Sequence, residues 1–228
     1  MIFSGALNKM KILQFGHICL LAAFAALLYS SGCSKAYYGA MEKAGIHKRD
    51  ILVDRVEDAR DAQSGAQEQF KDALEQFAAV VKIENTDLKD AYERLDAEYE
   101  ASKDAAKNVS NRIDKVESVA DDLFAEWEGE LQLYTNKELR RASAEKLKNT
   151  RGRYQQMLAS MRRAEKSMAP VLSIFQDNVL FLKHNLNAQA VGSLRSEFSN
   201  LKVEIDRLIK SMNDAIDTSN DFIAELQQ

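Results

Sequence analysis

Proline is nearly missing from this chain: Pro170 stands alone among 228 residues. Proline has a fixed φ and no N–H, so it is the residue that most firmly stops a helix, and here long helices meet few enforced ends. Glycine is sparse as well. Beyond the N-terminal segment it occurs only at Gly39, Gly45, Gly65, Gly129, Gly152 and Gly192, and no stretch is rich in Gly, Pro or Ser. Alternating apolar–polar runs of the kind a half-buried strand needs are absent, which leaves an all-α chain.

The missing chemistry is equally informative. The chain holds three histidines and two cysteines. It has no G-x-S-x-G, no phosphate-cradling glycine loop and no Glu-x-x-His pair of the kind that builds di-metal sites in helix bundles. No enzyme, metal or cofactor is expected. Acids outnumber bases, 35 to 31, a poor balance for nucleic-acid binding.

What is present is a ladder of positions alternately four and three residues apart. It runs Leu88, Tyr92, Leu95, Tyr99, Ser102, Ala106, Val109, Ile113, Val116, Ala120, Leu123, Trp127. Positions repeating every 3.5 residues stay in line only on a slightly under-wound helix, so this is coiled-coil patterning. A second ladder runs from Leu52 through Val56, Ala59, Gln63, Ala66, Phe70, Ala73 and Phe77 to Val80. A third begins at Ser143 and Leu147, reaches Phe175, and shifts at Val179, Leu182 and Leu186, a stutter just past Pro170. A fourth runs from Leu194 to Leu226. Four long helices with short connections pack most simply as an elongated antiparallel bundle over residues 47–228.

Helix limits follow from local signals. Asn85 and Thr86 offer N-cap oxygens for the second helix. Thr135 and Glu138 have capping-box spacing for the third. Pro170 clashes with the carbonyl of Lys166, so a kink or break is expected near 166–170. Charge selects one pairing: residues 117–130 carry Glu117, Asp121, Asp122, Glu126, Glu128 and Glu130 with no base, while 137–163 are mostly basic. Folding back near Tyr134–Asn136 lays one block along the other.

The first 32 residues read as a signal peptide. Lys9 and Lys11 precede an apolar run from Ile18 to Tyr29, then Ser30, Ser31, Gly32 and Cys33. Twelve residues fall short of the roughly 20 that span a bilayer. Translation starting at Met10 rather than Met1 would make the signal more compact. Ser-Gly-Cys resembles a lipobox, in which Cys33 is acylated, although Ser30 stands where leucine is usual. An uncleaved signal anchor and plain secretion with a free thiol are the other outcomes. With Ser34 after the cysteine, the resemblance implies the outer membrane, facing the periplasm. Residues 33–46 would be the lipidated cysteine and a tether; extended, its thirteen residues after the cysteine reach at most about 45 Å. Losing Cys19 with the signal and acylating Cys33 leaves no thiol, so stability must come from helix packing.

Candidate interaction residues come from two places. Asp50, Asp54, Asp58 and Asp61 stack on one helical face, where like charges repel and invite a cation or a basic partner, though that face is outward and a solvated ridge is the first explanation. Residues 169–188 (APVLSIFQDNVLFLKHNLNA) are too apolar for a narrow stripe, so Leu180, Phe181 and neighbouring His184 belong either to a thick core layer or to an interface with a partner or second copy. In an up-down-up-down bundle the start of helix one and the hairpin between helices two and three share an end. Trp127, Leu131, Leu133 and Tyr134 there either close the core or sit near lipid headgroups.

Residues 41–63 (MEKAGIHKRDILVDRVEDARDAQ), 123–131 (LFAEWEGEL) and 168–188 (MAPVLSIFQDNVLFLKHNLNA) resemble an uncharacterised domain-of-unknown-function family of proteobacterial lipoproteins. The resemblance implies a lipidated signal, an all-helical body and the cell envelope, and it supplies no catalytic or ligand residues. The expected function is a coiled-coil scaffold or interaction protein. The alternative is a module holding a lipid or other apolar ligand between its helices, where seam residues Ser102, Ala106 and Ala120 are small.

Overall fold

A computed structural model describes residue 41, 47–82, 88–185 and 188–227. The signal peptide, Cys33, the tether apart from residue 41, Asn85 and Thr86 as caps, and Leu186 of the third ladder lie outside the described residues. The chain divides into a unit Met1–Lys48 and a unit Arg49–Gln228. From Lys48 onward it forms α1 (Lys48–Val80), α2 (Leu88–Glu130), α3 (Lys137–His184) and α4 (Ala188–Leu226), and no strand occurs among the described residues. At 1.5 Å per residue, α2 and α3 are about 65 and 70 Å long.

The ladders are the buried stripes. All nine seam positions of α1, from Leu52 to Val80, are buried. On α2, Leu95, Ser102, Val109, Ile113, Val116 and Ala120 are buried while Tyr92, Tyr99 and Ala106 are half-buried. The seam of α3 is buried from Leu147 to Leu182, stutter included, and that of α4 from Leu194 to Leu226 apart from half-buried Phe198.

Contacts across the unit Arg49–Gln228 show neighbouring helices running antiparallel. Asp58 and Gln69 of α1 meet Arg112 and Glu98 of α2. Ser110 and Glu128 of α2 meet Glu165 and Arg151 of α3. Arg153 of α3 reaches Glu225 of α4, and Arg60 and Gln67 of α1 reach Asn220 and Asn213 of α4. The order closes α1–α2–α3–α4–α1, a four-helix bundle.

Two aromatic layers tie the helices together. In one, each helix contributes a ring: Phe77 stacks on Phe198 at 6.0 Å and tilts against Phe175 at 6.1 Å, while Tyr99 meets Phe175 edge-on at 6.2 Å. In the other, Tyr154 joins Phe124 and Phe222. Such pairs add about 0.5–1.5 kcal/mol each beyond the area they bury.

One local expectation is narrowed and another corrected. Helix α3 is not broken at Pro170 but continues to His184. Pro170 and Lys166 are both exposed, on the outer side of the helix, where water can serve a carbonyl deprived of its donor. The cap of α3 is Asn136, not Thr135: its side-chain oxygen accepts from the N–H groups of Glu138 and Leu139 at 2.9 and 3.2 Å. An Asn oxygen reaches the N2 and N3 donors as a threonine hydroxyl one residue earlier does not.

Candidate functional site

Asp58 lies not on a free acidic ridge but in a clamp. Its carboxylate accepts from Arg55 on its own helix at 3.2 Å and from Arg112 of α2 at 2.8 Å. Asp61 is paired with Arg60 at 2.9 Å, and Asp54 is exposed. Phe181, Leu180 and His184 lie far along α3, near its C-terminal end, so the five candidate interaction residues do not converge on one site. Among the described residues no group of three or more His, Cys, Asp or Glu is placed to hold a metal ion, and no helix is long and apolar enough to cross a membrane.

The apolar stretch 169–188 is part core and part surface. Val171, Phe175, Val179 and Leu182 are buried in the core, whereas Leu180 and Phe181 are 46% and 40% exposed. Phe181 lines a surface groove of about 410 Å³ with Ile174, Asp177 and Asn178 on α3 and Ser193, Leu194, Ser196 and Glu197 on α4. Asn178 is itself satisfied, its Nδ2 donating to the Ile174 carbonyl at 2.6 Å. The groove thus has an apolar floor and an acidic rim with no buried unpartnered polar group aimed into it.

The opposite end has a different geometry. Trp127 is half-buried and its Nε1 donates to Ser143 Oγ at 2.9 Å, tying the end of α2 to the start of α3. A cleft of about 230 Å³ there is lined by Arg49 of α1, Leu123, Glu126, Trp127 and Glu130 of α2, Lys146 and Thr150 of α3, and Glu225 and Leu226 of α4. The start of α1 and the end of α4 are therefore level with Lys146–Thr150, well inside α3. The turn 131–136 after the end of α2 and the first residues of α3 continue past them as a finger. Nine residues of α3, 137–145, at 1.5 Å each give the finger about 14 Å of reach. Residues 132–142 are exposed without interruption.

The charge blocks expected to face each other do so. Arg162 of α3 binds Asp114 at 2.6 Å and also Glu117 on α2, and Glu165 on its own helix at 2.9 Å. Burial works against the Arg162 charge, but hydrogen bonds to Glu165, Asp114 and Glu117 outweigh it and raise its pKa above the ordinary arginine value. Arg151 binds Glu128 while lying 5.0 Å from the Phe124 ring centre, and that hydrogen bond draws the Glu128 carboxyl below its usual range. Burial, with Glu117 and Asp121 nearby, pushes the Tyr154 hydroxyl upward. Sequence reading located the acidic and basic blocks but not Arg162 as their centre, because three carboxylates reach it through spacing across two helices. Arg195 was missed as well: its Nε donates to the Val81 carbonyl at 2.7 Å, capping the C-terminal end of α1 from α4.

The chain belongs to the family described as protein of unknown function (DUF2959), whose model matches residues 37–226. No curated protein matches it.

Proposed function

We propose that this member of the family is a non-enzymatic lipoprotein of the cell envelope, held to the outer membrane through Cys33 and acting in the periplasm as a helical scaffold or interaction partner. The observation that carries the reading is the filling of the bundle by its own side chains. The seams of all four helices pack on one another along the described length, so recognition falls to outer faces and grooves. Ser102 and Ala120, small enough to leave room for an apolar ligand, are fully buried and line none of the grooves described above. Their positions favour the scaffold over the ligand-holding module.

Three measurements test this. Fractionation of cells carrying Cys33→Ala should move the protein out of the membrane fraction; unchanged fractionation sinks the anchor. Native mass spectrometry of the purified protein should show no stoichiometric lipid beyond the acyl anchor, and crosslinking in intact cells followed by pull-down should return a defined envelope protein. A bound lipid at one per chain would replace the scaffold with a carrier.

A further inference from the structure

We infer that the tip of the α2–α3 finger is a contact surface for a phospholipid bilayer. The inference rests on the tether proposed above and adds to it a second, non-covalent point of attachment. Three large apolar side chains are set out on this tip: Leu133 is 79% exposed, Leu139 57% and Tyr134 40%. Elsewhere on the described residues the large exposed apolar side chains are Leu180, Phe181 and Val203, none of them at this end. The three tip residues close nothing. The core ends below them, at Trp127 and Leu147, and the turn is already held by Leu133 N–H to the Glu130 carbonyl at 2.9 Å and by the Asn136 cap.

Two further observations say what covers them. Arg49, the first residue of the unit Arg49–Gln228, lines the cleft at the base of the finger, so the proposed tether is covalently joined to the bundle at this end. The finger then projects from the end at which an anchored chain is attached. The charge around the tip is also inverted relative to the protein. Within residues 131–142 Lys137, Arg140 and Arg141 stand against Glu138 alone, with Glu130 at the base of the turn, in a chain of net charge −4. Leucines that enter the headgroup region, a tyrosine at the interface and bases that reach phosphates are the side chains such a boundary favours.

The test uses the full chain purified from membranes and reconstituted into vesicles of phosphatidylethanolamine and phosphatidylglycerol with brominated acyl chains. In a Trp127→Phe background, Leu133→Trp and Leu180→Trp each place one indole at an exposed position, at opposite ends of the bundle. Emission from the Leu133→Trp chain should be quenched several-fold by brominated lipid, and that from the Leu180→Trp chain left unchanged. Equal quenching at the two positions, or none at either, overturns the contact. Tryptic cleavage of the unmutated chain in vesicles asks the same question without substitution. Cuts after Arg140 and Arg141 should lag several-fold behind the cut after Lys183, and equal rates overturn the contact. Flotation separates the two claims: a chain that floats but shows no quenching at the tip loses the contact and keeps the tether, and one that does not float loses both. Crosslinks joining the tips of two copies, without quenching, overturn the contact in favour of self-association.

Discussion

Among single residues, Gln63 is the least comfortable. It sits on the α1 seam with 0% exposure, and neither its amide nitrogen nor its oxygen has a hydrogen-bond partner. Ser102 Oγ on the α2 seam is buried without a partner as well, whereas Ser219 Oγ donates to the Ala215 carbonyl of its own helix at 2.6 Å. An unmatched buried amide costs about 1–3 kcal/mol, so Gln63→Met, which keeps the volume, should raise stability by about that amount in a guanidinium melt. A loss instead would mean that a bound water completes the site. Tyr154 is the residue that sets a pH limit. Its folded pKa is raised, so its contribution is intact below the usual tyrosine value near 10 and fades as pH rises above it. In that alkaline window the unfolded chain releases a proton that the folded chain keeps, which lowers stability by about 1.4 kcal/mol per pH unit. Tyr154→Phe should remove that increment, read as the difference between the two proteins' urea midpoints at pH 9 and pH 11.5. Identical pH slopes would mean that Tyr154 ionises freely in the folded state.

At the scale of the element, α3 carries the least regular sequence and the most contacts. It contains Pro170, the stutter at Val179 and the Arg162 clamp, yet runs unbroken from Lys137 to His184. Pro170 is exposed, and Pro170→Ala restores one backbone hydrogen bond to the Lys166 carbonyl. Thermal denaturation should show a gain of up to about 3 kcal/mol. A loss would show that the bend imposed by proline is needed to seat the second half of the helix. The ladders were legible here because a 3.5-residue repeat depends only on neighbours along the chain. The cap was misplaced because Thr135 and Asn136 are both good cap residues, and the backbone of the turn, extended at Asn136 (φ −81°, ψ 114°), decided between them.

For the molecule as a whole, the two phenylalanines of the apolar stretch should behave oppositely. Phe175 is fully buried at the centre of the four-helix aromatic layer, so Phe175→Ala should cost about 3–5 kcal/mol. Phe181 lines the outer groove, so Phe181→Asp should leave the circular dichroism melt nearly unchanged. Sedimentation then reads association: a lighter species in Phe181→Asp marks the groove as a contact between copies. Global unfolding of that variant would mean the groove closes in solution.

The sequence by itself determined the all-α class, the four helices, the face each one buries and the pairing of α2 with α3. All of these follow from periodicity and from blocks of charge along one chain. Tertiary structure alone decided where the helices end relative to one another. Their stagger depends on which layers of side chains interlock across helices distant in sequence. That stagger leaves the α2–α3 hairpin projecting beyond α1 and α4, with Leu133 and Leu139 in solvent, and turns Phe181 outward while Phe175, six residues earlier, is sealed in the core.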